Sequence, residues 1–113
     1  MSGKGKYVEI TAADTDTEIL KASDIEILNI REIRIENKSG AAATVELKDV
    51  YTRYYAGSSE SHEETKLKKD IAADAVIRYN QIKGMKVLGT LKARSSSASS
   101  GSPVRIYVGV EPE

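Results

Sequence analysis

The chain has 113 residues, enough for one domain that buries roughly two-thirds of the surface its unfolded form exposes. Seventeen Lys and Arg balance seventeen Asp and Glu, which removes the electrostatic basis of a general nucleic-acid binder or a membrane-surface protein. Without Cys there is no disulfide framework or thiolate zinc site, and without Phe or Trp the core is left to branched aliphatics and Ala, which favours strands.

The opening MSGKGK reads as a flexible arm over residues 1–6. No apolar stretch after it is long enough for a signal peptide, and no run approaches a transmembrane span, so the expectation is synthesis in the cytosol. Amides are few (Asn29, Asn37, Asn80 and Gln81), and charged residues make up 30%. That balance is shared with thermophile proteins and sets an expectation of thermostability.

Alternation with a period of two recurs along the chain, and helix signals are nearly absent. Residues 7–11 and 17–20 read as short strands around a polar turn. Residues 28–36 and 44–55 read as long ones. If they fold back around Gly40 as a hairpin, Ile35 faces Val45 and Ile33 faces Leu47 on one side, while Arg34 faces Glu46 and Glu32 faces Lys48 on the other. Further out the apolar phase changes to Ile30 and Val50, which implies a paired bulge or a sheet apolar on both faces.

Residues 66–80 allow a helix on Leu67, Ile71 and Ala75, or two strands broken at Ala72, Ala73 and Asp74. Val76, Ile77 and Tyr79 favour the strands. Residues 85–93 and 104–110 read as a final pair that sets Leu91 opposite Ile106 and, unfavourably, Lys92 opposite Arg105. The small residues 95–103 between them read as a mobile linker rather than a tight turn. The whole predicts an all-β single domain, a small antiparallel β-sandwich or jelly roll of about six to eight strands.

Candidate chemistry is sparse. His62, the only histidine, lies in GSSESHEETK, which reads as a polar loop. A solvated side chain is expected there rather than a positioned acid or base. Glu60, Glu63 and Glu64 beside it match no closed zinc spacing. Asp14, Asp16 and Glu18 begin like a calcium loop, but Ile19 and Ile25 stand where its glycine and bidentate glutamate belong. As an extended strand, the three carboxylates would share a solvent face. Asn37, Lys38 and Ser39 form a glycosylation acceptor triplet, for which a turn role is preferred. Ser95 to Ser102 have no paired base, and no phosphate-binding or dinucleotide motif occurs. No enzyme, metal, cofactor or small-molecule substrate is therefore expected. Tyr51, Arg53, Tyr54 and Tyr55 are the best candidate contact patch, since Tyr and Arg combine apolar area with hydrogen bonds; ordinary core and sheet-surface roles are the alternative.

ILNIREIRIENKSGAAATVELKDVYT, in which an alternating strand leads into Asn-x-Ser-Gly, small residues and a Val-x-Leu strand, resembles small β-sandwich virion proteins of tailed phages and related viruses. IKGMKVLGTLKARSSSASSGSPVRIYVGVE resembles their closing segment, with its serine loop before an alternating last strand. Over residues 65–80 the chain departs from that pattern, with charged KLKKDIAAD in place of a glycine-bearing turn. The resemblance implies a virion location and a structural role as a capsid decoration or cement protein, or a head-tail or tail component. Its implied partners are capsid or tail proteins and further copies of the chain. The alternative from another class is a carbohydrate- or cell-surface-binding sandwich, which the missing Trp disfavours.

Overall fold

The computed structural model describes residues 4–22 and 27–113, with the side chains of Lys4, Tyr54 and Tyr55 outside the described set. Nine strands follow in order: β1 Lys4–Ile10, β2 Thr17–Lys21, β3 Leu28–Asn37, β4 Ala43–Tyr55, β5 Ser58–Ile71, β6 Val76–Tyr79, β7 Lys86–Val87, β8 Thr90–Ser95 and β9 Val104–Pro112. Two antiparallel sheets form, one in the order β1-β9-β3-β6 with β7 also on β3, the other in the order β2-β8-β4-β5. Leaving the two-residue β7 aside, first pairs with last and so on inward: β1 with β9, β2 with β8, β3 with β6, β4 with β5. An antiparallel ribbon folded over itself in this way is a jelly roll, and the all-β sandwich expectation holds.

Alternation explains the layers. Ile33 and Ile35 of β3, Val45 and Leu47 of β4, Leu91 and Ala93 of β8, and Val104, Ile106 and Val108 of β9 are all fully buried between the sheets. Their strand neighbours face outward. The phase change in β3 is a bulge: the ladder with β9 shifts between Ile30 and Glu32, leaving Arg31 over. In β4 the buried phase runs unbroken through Ala43, Val45, Leu47 and Asp49. The extra residue there is Lys66 of β5, because Leu47 pairs with Leu67 and Lys48 with Thr65.

Both expected hairpins are corrected. β3 and β4 lie in different sheets, as do β8 and β9. The matched apolar rows meet across the sandwich instead of side by side, and a row of alternating aliphatics is satisfied equally by either arrangement. The charge conflict between Lys92 and Arg105 disappears: Lys92 sits between Glu18 and Lys48 in its own sheet, and Arg105 bonds Glu9 and Glu36.

Asn37 makes the β3–β4 arch possible. It sits at the buried phase of β3, fully enclosed, with its amide nitrogen 2.8, 3.0 and 3.2 Å from the carbonyls of Ala41, Ile71 and Ala72. Its oxygen accepts the N–H and hydroxyl of Ser39 at 3.0 and 2.6 Å. One side chain thus ties this arch to the β5–β6 connection. Gly40 in the arch takes a φ of +82°, the left-handed region that a residue without Cβ enters freely. An amide so enclosed and occupied is no accessible glycosylation acceptor.

One further expectation holds and two are revised. Strands, not a helix, occupy residues 66–80, broken by the turn at Ala73 and Asp74. Of the expected flexible arm over residues 1–6, Lys4, Gly5 and Lys6 pair in β1 with Val110, Gly109 and Val108; residues 1–3 lie outside the described set, as does Ile25. The serine linker contains a tight turn after all. Ser99 and Ser102 bridge, Ser95 is buried at the end of β8, and Ser96 exchanges two hydrogen bonds with Thr44.

Candidate functional site

β4 is 13 residues long and β5 is 14, whereas β8 covers β4 only from Val45 to Val50. From Tyr51 outward, β5 is the sole sheet neighbour of β4, through pairs running from Tyr51 with His62 to Tyr55 with Ser58. This two-stranded ribbon extends past the end of β8. Gly57 at its end has a φ of +81°, which lets the chain reverse within two residues.

The base of the ribbon is anchored by Asp49. Its carboxylate is fully buried and accepts the N–H groups of Leu88 and Gly89 at 2.8 and 3.0 Å. This draws the β7–β8 turn onto β4 so closely that a Cβ on Gly89 would lie 2.3 Å from the Val50 carbonyl oxygen. Only glycine fits there. The Gly89 carbonyl accepts the N–H of Ala22 at 2.8 Å, and Leu88 stays 39% exposed beside this base.

Beyond the anchor, the core-facing side of β4 continues through Tyr51 and Arg53, whose partners on β5 are His62 and Glu60. The Tyr51 and His62 rings stack with centroids 5.6 Å apart and planes 15° from parallel. The Arg53 guanidinium lies 5.6 Å from the Tyr51 ring centroid, within reach of a cation–π attraction. His62 meets Glu60 at 3.1 Å. The Glu64 carboxyl is held below its ordinary value by the hydrogen bond from Lys66 and by the charges of Lys66 and Arg53.

Of the four expected contact residues, Tyr51 and Arg53 come together with a third partner, His62. The backbones of Tyr54 and Tyr55 continue the ribbon, and their side chains lie outside the described set. The loop reading of His62 is corrected: it stands in β5, half-buried, because the polar residues 58–65 find partners along β4 and tolerate a ribbon open on both faces. Glu63 points away from this group, to Lys48 at 3.3 Å. Among the described residues no three His, Asp or Glu side chains gather as a metal site.

The acidic run before β2 is also corrected. Asp14 occupies a turn with a φ of +53°, so the three carboxylates do not form a strand face. Asp16 receives Arg94 at 3.0 Å and Lys48 at 3.3 Å. Partial burial opposes its charge, but those two hydrogen bonds outweigh it and hold the carboxyl below its ordinary value. A lowered carboxyl contributes stability that is complete above the unfolded value, about pH 4, and is lost as pH falls through the folded one. We expect the unfolding temperature to drop between about pH 5 and pH 3, with an Asp16 share of at most about 1 kcal/mol for so accessible a pair. Asp16→Asn should flatten that part of the profile; an unchanged slope in thermal melts would rule the pair out as its source.

Among the described residues, one cleft is bounded by Lys6, Glu18, Leu28 and Val110, and another, beside β5, by Glu64, Lys66, Lys83 and Met85. Neither carries a histidine. The chain matches no protein-family model and no curated protein. The chemistry of the ribbon must therefore carry the functional reading.

Proposed function

We propose that this chain is a structural module of a virus particle, a capsid decoration protein or a head-tail or tail-associated component, that works by protein–protein contact and not by catalysis. The observation that carries the reading is the ribbon of β4 and β5, where Tyr51, Arg53 and His62 form one pre-stacked group outside the sandwich core. Tyrosine and arginine held in place by neighbours lose little rotamer freedom on docking, which is how interface anchors gain affinity. The jelly roll is in keeping with this role, although the same architecture also hosts lectins. Because His62 and Arg53 already engage the Tyr51 ring, protein contact is favoured over sugar stacking.

The test is co-sedimentation with capsids and with tails produced from the genes adjacent to its own. Wild-type protein should travel with one of them. Tyr51→Ala and Arg53→Ala should each weaken that association by roughly tenfold or more; at Arg53, which is exposed, the melting point should shift little, and at Tyr51, which is partly buried, by more, so binding is compared well below both melting points. Wild-type protein that ignores every particle, or variants that bind as well as wild type, would defeat the reading. Binding on a glycan array instead would favour the lectin role.

A further inference from the structure

β5 is the longest strand and ends its sheet, so among the described residues its outer backbone edge has no strand partner, although Lys83, Gly84 and Met85 flank an open cleft beside Glu64, Thr65 and Lys66. Such an edge is a template for another strand unless its side chains prevent pairing. Its charges are segregated along its length. Glu60, Glu63 and Glu64 occupy the first half, with side chains 58%, 57% and 52% exposed. Lys66, Lys68 and Lys69 occupy the second half, followed by Asp70, which accepts a hydrogen bond from the Thr44 hydroxyl. Lys68 and Lys69 are exposed and make no ion pair among the described residues.

We propose that the free edge of β5 pairs antiparallel with β5 of a second copy of this chain, about a two-fold axis near Thr65, joining two four-stranded sheets into one of eight. A two-fold axis sets the first half of one strand against the second half of the other. Acidic half therefore meets basic half, twice. The bulge keeps this in register. Counted along β4, Thr65 stands opposite Lys48, Glu63 two steps to one side opposite Val50, and Lys68 two steps to the other opposite Glu46. With Lys66 taking up the extra residue, Glu63 of one copy and Lys68 of the other fall opposite each other on the same sheet face.

A parallel arrangement in register would instead place acid on acid and base on base. The pattern is longest on β5: β1 also separates Lys4 and Lys6 from Glu9, and β2 separates Glu18 from Lys21, but over seven and five residues, and β6 carries Arg78 alone. The partner whose chemistry fits this edge is the edge itself.

The inference deepens the assembly reading and rests on it for its purpose, but it is read out without any particle. The full chain should sediment at twice its 12.3 kDa mass at low salt and dissociate as salt is raised. Lys68→Glu with Lys69→Glu, which touches no ion pair of the fold, should weaken self-association on the order of tenfold or more. Glu63→Lys with Glu64→Lys should do the same, and an equimolar mixture of the two variants should restore the dimer, since a mainly basic edge then meets a mainly acidic one.

Circular dichroism checks that each variant is folded. If the Glu63/Glu64 variant does not fold, the Lys68/Lys69 variant and the salt dependence decide by themselves. A wild-type chain that stays at single mass at every salt concentration would overturn the proposal and leave the charges as a guard against pairing. So would a Lys68/Lys69 variant that dimerises like wild type. A dimer that binds no particle would support the edge pairing while removing the particle role.

Discussion

Asn37→Asp is expected to lower stability by about 3–5 kcal/mol at neutral pH, because it turns a buried donor toward three carbonyl oxygens into a buried charge facing them. The amide nitrogen lies 2.8–3.2 Å from those oxygens, and no cation is among its hydrogen-bond partners. Asn37→Ala, which removes the donor without adding charge, should cost less, about 2–4 kcal/mol. Against a total of roughly 6–17 kcal/mol for a domain of this length, either change is large, and the alanine variant should melt on the order of 15 °C lower.

The two variants also separate by pH. A carboxyl at position 37 is stabilised as the protonated acid, so its folded pKa rises above the unfolded value. The deficit relative to wild type should then shrink as pH falls to about 4 and deepen as pH rises through the raised value. Denaturant unfolding of wild type and both variants at pH 4 and pH 7 measures this, with the wild-type acid dependence subtracted. A deficit for the aspartate variant that is the same at both pH values, or below about 1 kcal/mol, would mean the amide does not hold the arch.

Asn37 also marks where the sequence can be read and where it cannot. It follows Ile33 and Ile35 at the buried phase, as Asp49 follows Val45 and Leu47. A polar residue at a core phase was therefore visible as a signal, and turn chemistry alone was too weak a reason for Asn37. Strand identity was legible because branched aliphatics at period two have few other uses, and so was the choice of strands over a helix around Ile71 and Val76.

Pairing was not legible. Ile33 and Leu47 satisfy each other equally as neighbours in a hairpin or as opposing residues of two layers. What decides between them is a set of long-range hydrogen bonds, from the Asn37 amide to the Ile71 carbonyl and from the Gly89 N–H to the Asp49 carboxylate, that no local pattern announces. His62 was misplaced for a related reason. A polar stretch looks like a loop unless its partner strand is known, and here Tyr51 supplies the partner. Tyr51 and Arg53 stood out as contact candidates from side-chain chemistry alone, whereas their stacking with His62 depends on the β4–β5 register.

Gly89→Ala should be the most damaging small substitution near the contact ribbon, at about 3–5 kcal/mol. The added methyl would stand 2.3 Å from the Val50 carbonyl oxygen and 2.9 Å from the Tyr51 Cα. β4 cannot give way at Val50, since it is paired there with Thr90 on one side and Glu63 on the other. The β7–β8 turn must lift instead, pulling two N–H groups off the buried Asp49 carboxylate and the Gly89 carbonyl off Ala22. Asp49→Asn keeps the volume but exchanges one acceptor for a donor, so it should lose one of the two bonds at about 1.5–3 kcal/mol. Since both changes break the same contacts, the double variant should be less destabilised than the sum of the singles, by about 1 kcal/mol or more. Strict additivity in a denaturant cycle, or a Gly89→Ala variant within about 0.5 kcal/mol of wild type, would show that the turn is not clamped to β4.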